Sequence, residues 1–138
     1  MSLKTFEHVL ILADDLKKTK EFYVDLLGLK DGYRPDFPFP GHWLYLNEDD
    51  KAACIHLAMR KQGDGQDYYI GKKDNVKSGS GAIDHVAFNA DNIEEMKSKF
   101  EEASIQYTHR KVPGFPLEQL FIDDPDGVKV ELNFPTND

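Results

Sequence analysis

The fold of this chain is decided by two stretches that match each other: residues 6–16, FEHVLILADDL, and residues 83–93, IDHVAFNADNI. The second stretch repeats the apolar and polar positions of the first, and His85 stands where His8 stands. The helical patterns that follow the two stretches also share one register. The chain therefore contains two copies of one supersecondary unit, which we call module 1 and module 2.

Module 1 extends over about residues 4–60 and begins with a strand at 5–13, where residues alternate between two faces. One of the aspartates at positions 14–15 then caps a helix that runs to about Leu27, and Gly28 supplies the stop. An extended Pro-rich loop, DGYRPDFPFPG, leads into the strands HWLYLN and AACIHLAM. Module 1 is therefore predicted to consist of a strand, a helix and further strands, in that order.

Module 2 repeats this plan over about residues 83–135. The strand IDHVAFNA precedes a helix from about Asp91, with Asp91 or Asn92 as its cap, to Ala103. A strand at about 106–111 follows, and then the strands LEQLFI and VKVELNF. The turn DDPDG separates these last two strands, because Pro presets φ and Gly accepts a positive φ.

Each module is therefore a βαβββ unit, and a polar, Gly-rich connection at 61–82 joins the two. The predicted fold class is α+β, with two tandem βαβββ modules that form a curved open barrel. A chain of 138 residues suffices for one domain, which we place at 1–138. In such a barrel the concave face is lined by alternating residues of both modules.

The composition fits a soluble globular protein, with 40% hydrophobic and 30% charged residues. A net charge of −8 argues against binding to nucleic acid or to an anionic membrane. The single cysteine, Cys54, excludes an internal disulfide framework and agrees with a reducing compartment. The opening sequence MSLKTFEHVLI enters a strand without a signal peptide, so we expect a cytoplasmic protein.

Each module opens with a histidine and closes on an apolar strand that contains one polar residue. The opening residues are His8 and His85, and the closing residues are His56 in ACIHLAM and Glu131 in VKVELNF. A lone histidine in a strand more often belongs to a core than to a metal site. Matching positions in two modules favour the metal interpretation, because imidazole and carboxylate groups bind divalent ions. The repeat predicts one metal site that both modules share.

The chain resembles the vicinal oxygen chelate superfamily, which includes glyoxalase I, extradiol dioxygenases and bleomycin resistance proteins. The resemblance is carried by EHVLILADDLKKTKEFYVDLLGL in module 1, and by IDHVAFNADNIEEM and DPDGVKVEL in module 2. It covers nearly the whole chain outside 60–82. It implies the two-module fold, but it does not select one activity, because this scaffold carries several chemistries.

By this resemblance, His8, His85 and Glu131 match the usual metal ligands of the superfamily. His56 departs from the family pattern, which has Glu or Gln there, and it is either a fourth ligand or an acid–base group beside the metal. The implied cofactor is one divalent ion, Zn, Ni, Co, Mn or Fe. Glu131 would be the general base of a proton transfer.

Three functions are compatible with these residues. The leading one is a metal-dependent lyase or isomerase, similar to glyoxalase I, for a small oxygenated metabolite. The second is an extradiol-type Fe(II) dioxygenase, although such enzymes carry Tyr where this chain has Phe121. The third is a metal-free drug- or metabolite-binding protein, similar to bleomycin resistance proteins. The intact set of ligands argues against the third.

The remaining candidates concern the substrate, a small molecule. Aromatic residues that could line its pocket are Trp43, Phe37, Phe39 and Phe115, and residues that could bind a carboxylate or phosphate are Arg34 and Arg110. We interpret His42 and His109 as surface residues and Cys54 as a buried thiol. The resemblance also implies a homodimer.

Overall fold

The computed structural model describes residues 5–60 and 83–137 of the chain, which divides into two compact units, Met1–Val76 and Lys77–Asp138. The predicted connection at 61–82 lies outside the described residues. Within the described parts, each unit holds one helix-and-strand module with a four-stranded sheet. The prediction of two βαβββ modules in an α+β fold is confirmed. Their union in a single domain stays a prediction.

The described elements of unit 1 follow the predicted order: β1 (Val9–Ala13), α1 (Leu16–Glu21), a π-helical turn (Phe22–Leu26), β2 (Lys30–Asp31), β3 (Gly41–Tyr45) and β4 (Ile55–Met59). The strands are arranged in the order β1-β4-β3-β2. β1 runs parallel to β4, and the other pairs are antiparallel. The first and last strands of the module are therefore neighbours.

The helix of module 1 differs from the prediction of one continuous helix to Leu27. Its α-helical part ends at Glu21, and the next residues widen into the π-helical turn. The wider turn places two successive rings, Phe22 and Tyr23, in the core, where they are 7% and 0% exposed. Gly28 then ends the helix with a φ of +89°, as predicted.

Unit 2 has the same order of elements: β5 (His85–Asn89), α2 (Ile93–Glu102), β6 (Thr108–Lys111), β7 (Leu117–Asp123) and β8 (Lys129–Pro135). The sheet order, β5-β8-β7-β6, is equivalent to that of unit 1, and β5 is parallel to β8. Asn92 caps α2 by accepting a hydrogen bond from the backbone N–H of Glu95. At the predicted turn, the Asp124 carboxylate accepts from two backbone N–H groups, and Gly127 has a φ of +84°.

One face of each sheet is apolar and buried with the helix of its own unit. α1 packs against β4, and the ring of Phe100 in α2 is fully buried. The large apolar residues that are buried on these faces are Ile11, Leu44, Ile55 and Leu57 in unit 1, and Leu120, Ile122, Val130, Leu132 and Phe134 in unit 2. The alternation of a strand directs the residues between these toward the opposite face of each sheet. None of the described helices is both long and apolar enough to span a membrane.

Candidate functional site

The opposite face of the unit 1 sheet carries three of the predicted site residues. His56 on β4 pairs directly with Leu10 on β1 and with Trp43 on β3, and residues paired in this way share a face. We call this surface the His56 face. His8 lies just before β1, two residues from Leu10, and therefore on the same side.

The ring of His56 lies between two other aromatic rings on the His56 face. It stacks on His8 at 3.6 Å between ring centroids and on Trp43 at 4.0 Å, and both interplanar angles are 11°. Burial is the main cause that lowers the pKa of His56 to about 4, and the neighbouring His8 contributes in the same direction. His56 is therefore a neutral imidazole at neutral pH, the form in which histidine binds metals.

The two opening histidines make the same contact with the acidic residue that precedes each of them. His8 Nδ1 donates to Glu7 Oε1 at 2.9 Å, and His85 Nδ1 donates to Asp84 Oδ1 at 2.9 Å. A carboxylate that accepts from one ring nitrogen fixes the tautomer and leaves the other nitrogen, Nε2, with its lone pair. Metal-binding histidines are usually held in this way.

In unit 2 the free nitrogen of His85 faces the predicted carboxylate ligand. His85 Nε2 is 3.5 Å from Oε1 of Glu131, whose side chain is 13% exposed. Ala87 on β5 and Phe121 on β7 both pair with Glu131, and we call the surface they share the Glu131 face. The imidazole nitrogen and the carboxylate oxygen thus lie close enough together for one cation to bind both.

The aromatic residues of the Pro-rich loop extend the His56 face. Phe37 contacts Trp43 at 6.1 Å between ring centroids and stacks on Phe39 at 5.4 Å. The guanidinium of Arg34 lies over the Phe37 and Phe39 rings at 5.0 and 5.1 Å and donates to the Phe39 carbonyl at 2.9 Å. The structure thus joins four predicted pocket residues into one continuous row beside His56, which we call the aromatic row.

Gly41 is required for this arrangement because β3 approaches both β4 and Arg34 closely at this position. A Cβ on residue 41 would lie 2.5 Å from the Leu57 carbonyl oxygen and 2.8 Å from Arg34 Nη2. We expect Gly41→Ala to cost about 1–3 kcal/mol in the free energy of unfolding, because backbone must shift. Urea denaturation measures this cost, and an unchanged midpoint would contradict it.

Arg110, predicted as a substrate-binding residue, lies in a chain of side-chain hydrogen bonds on the Glu131 face. Its Nε and Nη2 donate to Gln119 Oε1 at 3.0 and 2.6 Å, and Gln119 Nε2 donates to Asn133 Oδ1 at 2.9 Å. Asn133 Nδ2 then donates to Glu131 Oε2 at 2.9 Å. The guanidinium also lies 5.7 Å from the Phe121 ring centroid. The sequence reasoning missed Gln119 and Asn133, although Asn133 lies two residues from Glu131 on one strand.

Other predicted residues lie apart from these groups. Phe115 is in the loop between β6 and β7 and is 61% exposed. His109 pairs with Glu118 at 2.7 Å, and His42 pairs with Asp31 at 3.0 Å. Both contacts are at the surface, in agreement with the interpretation of these two histidines as surface residues. Cys54 is half-buried, and burial raises the pKa of its thiol.

The predicted metal donors therefore form two pairs, His8 with His56 and His85 with Glu131. Across 5–60 and 83–137, no group of three or more His, Cys, Asp or Glu residues is close enough to hold a metal ion. Each pair lies within one unit, and each has donor atoms suited to a divalent first-row metal.

Comparison with known proteins identifies relatives along nearly the whole chain. The family model described as Glyoxalase/Bleomycin resistance protein/Dioxygenase superfamily matches residues 5–132. Glyoxylase I 4 of Arabidopsis thaliana is 28% identical over 137 residues, which cover 96% of this chain and 71% of that protein. The lactoylglutathione lyase of Escherichia coli O157:H7 is 25% identical over 130 residues, covering 91% and 88%. The structure of the lactoylglutathione lyase from Agrobacterium tumefaciens, 22% identical, superposes with a TM-score of 0.68 over 97% of this chain and 96% of that one.

Proposed function

The chain belongs to the Glyoxalase/Bleomycin resistance protein/Dioxygenase superfamily, and on this basis we propose that it is a metal-dependent lyase or isomerase. Its substrate is a small oxygenated metabolite, such as the adduct of a 2-oxoaldehyde with a thiol. The relatives named glyoxylase I and lactoylglutathione lyase support this class of reaction, since they match at least nine-tenths of the chain.

One observation carries the proposal: the arrangement of His85. Its Nδ1 is held by Asp84, and its Nε2 faces Glu131 Oε1 at 3.5 Å. A divalent ion placed between these two atoms would take both as ligands, with the ring of His85 held in place by Asp84. His8 is held by Glu7 in the same way.

We propose that one divalent ion, Zn, Ni, Co, Mn or Fe, takes donors from both pairs: His8, His56, His85 and Glu131. Three neutral imidazoles and one carboxylate match the ligand preferences of these ions. When bound, the ion would act as a Lewis acid for two adjacent substrate oxygens and stabilise negative charge on them.

The protein's own groups would carry the proton. Glu131 is the general base, because it is the carboxylate of the set and is largely covered. Asn133 holds its Oε2 and leaves Oε1 to approach the substrate C–H. His56 is neutral and partly accessible, so it could donate or accept a proton if it does not bind the metal.

The aromatic row would hold the apolar part of the substrate next to its chelating oxygens. Trp43 touches His56, and Phe37 and Phe39 continue the row outward. Arg34 covers one part of these rings and fixes their position. The extradiol dioxygenase alternative receives no support from Phe121, because the side chain paired with Glu131 has no hydroxyl group.

Metal content tests the proposal. Protein purified without chelator should contain about one equivalent of a divalent metal per chain. His8→Ala and Glu131→Ala should each lose it, although the two residues belong to different modules. Elemental analysis measures this, with Glu118→Ala as a carboxylate control outside the site. Wild-type protein that is purified without metal and does not bind added Zn²⁺, Ni²⁺, Co²⁺, Mn²⁺ or Fe²⁺ would contradict the proposal. That result would favour a metal-free protein that binds a drug or metabolite.

We further propose that the protein is a cytoplasmic homodimer. Mixing two variants tests whether the metal ligands of one site come from one chain or from both chains of the dimer. If each site takes one module from each chain, a His8→Ala chain paired with a Glu131→Ala chain forms one intact site. Co-refolding the two inactive variants would then restore metal and turnover to a fraction of the wild-type level. Sites built within one chain would show no recovery.

A further inference from the structure

We propose that Gln119 and Asn133 are positioning residues that fix the carboxylate of Glu131, and that Arg110 fixes the orientation of both amides. Four side chains form this relay, Arg110–Gln119–Asn133–Glu131, with links between 2.6 and 3.0 Å. The role of this relay in catalysis rests on the proposed function, whereas the direction of its hydrogen bonds does not.

The direction of the relay follows from what each group can donate or accept. A guanidinium only donates, so the oxygen of Gln119 must face Arg110. The Gln119 amide nitrogen then faces Asn133 and requires its oxygen, which turns the Asn133 nitrogen toward Glu131. An ionised carboxylate only accepts, so the far end of the relay demands the same orientation. Both ends therefore select one arrangement of the two amides.

The fold holds these side chains in line. Arg110 on β6 pairs with Gln119 on β7, and Gln119 pairs with Asn133 on β8, so all three share the Glu131 face. Glu131 lies two residues before Asn133 on the same strand. Gln119 is only 6% exposed, and a buried amide must be hydrogen-bonded at both of its ends.

The relay determines which oxygen of Glu131 is available. Asn133 occupies Oε2, while Oε1 is directed at His85 Nε2. Without the amide donor the carboxylate could rotate, and both oxygens would compete for the His85 side. Arg110 thus acts on Glu131 through two neutral side chains and not through a direct ion pair. The negative charge of Glu131 is therefore available to a bound metal ion.

Gln119→Glu is the sharpest test because it leaves Glu131 and Asn133 themselves unchanged. The new carboxylate still accepts from Arg110, but it can no longer donate to Asn133. The Asn133 oxygen would then face the carboxylate of residue 119 without a donor. Alternatively, the Asn133 amide rotates by half a turn, and its oxygen then faces the carboxylate of Glu131. We expect the melting temperature of metal-free protein to fall by about 5 °C, the effect of losing a hydrogen bond to a charged group.

Glu131→Gln should rescue this loss. A glutamine at this position accepts from Asn133 in one amide orientation and donates to it in the other, so it tolerates either direction of the relay. Gln119→Glu should therefore lower the melting temperature of the otherwise wild-type protein and leave that of the Glu131→Gln variant unchanged. Gln106→Glu, an exposed change of the same kind before β6, controls for the added charge. Equal losses in both backgrounds, or no loss in either, would overturn the relay.

Calorimetric titration with Zn²⁺ links the relay to the metal. Gln119→Glu should weaken Zn²⁺ binding at least about tenfold, as loss of an outer hydrogen bond to a ligand does, and Gln106→Glu should not. An unchanged affinity in Gln119→Glu would overturn the positioning role. Wild-type protein that binds no Zn²⁺ would instead count against the proposed function, while the melting-temperature comparison would still decide the relay.

Discussion

Replacing Glu131 by glutamine should lower kcat/KM by about 10²–10⁴-fold for a 2-oxoaldehyde–thiol adduct, the contribution of a general base. The amide has the shape of the carboxylate, and its oxygen can still accept from Asn133 Nδ2. It cannot accept the substrate proton, and it is a weaker metal ligand. Measuring metal content and turnover on the same sample separates these two effects, because a metal-loaded but inactive variant identifies the base.

The control for this variant is Glu118→Gln. Glu118 lies on the neighbouring strand, but its side chain pairs with His109 and its backbone register places it on the face opposite to Glu131. The same chemical change at residue 118 should leave turnover unchanged. If Glu131→Gln keeps wild-type turnover with metal bound, Glu131 is not the base, and His56 becomes the remaining candidate.

The sequence predicted the modules well because each local pattern of strand and helix occurs twice in the chain. Alternation in a single strand is a weak indication, but His8 and His85 begin matching stretches, and each is followed by a capped helix. The parallel pairing of first and last strands then brings His8 beside His56 and His85 beside Glu131. The closeness of the residues in each pair follows from this pairing, whereas a single metal site that both pairs share stays a prediction.

The hydrogen bonds and ring contacts around these donors could not be predicted from the sequence. Gln119 contacts Asn133 because β7 and β8 pair in one particular register, and a shift by one residue would direct the two amides to opposite faces. The stacking of Trp43 on His56 depends on register in the same way. Arg110 shows the consequence, since its hydrogen bonds to Gln119 were not predicted, while its contact with a substrate stays a prediction.

The π-helical turn after α1 was missed for a different reason. Its sequence has an ordinary helical pattern, whereas in the structure the wider turn coincides with the burial of the adjacent rings Phe22 and Tyr23. Tertiary packing decides this local geometry. In module 2 a single ring, Phe100, occupies the position equivalent to Tyr23, and α2 remains a regular helix.

Phe100→Ala should destabilise the protein by about 3–5 kcal/mol, the cost of emptying a buried aromatic site. Phe100 is the ring by which α2 enters the core of unit 2: it is 0% exposed and contacts the Tyr107 ring at 5.6 Å between centroids. The whole folding free energy of such a protein is about 5–15 kcal/mol, so a large part of it depends on this side chain. Urea denaturation followed by circular dichroism measures the change.

Phe115→Ala is the matched control, because the same atoms are removed from a ring that is 61% exposed. It should change the free energy of unfolding by no more than about 0.5 kcal/mol. A loss at Phe115 as large as that at Phe100 would show that the loop before β7 is covered in solution, as in a homodimer or against a substrate. A small loss at Phe100 would mean that α2 contributes little to the core of unit 2.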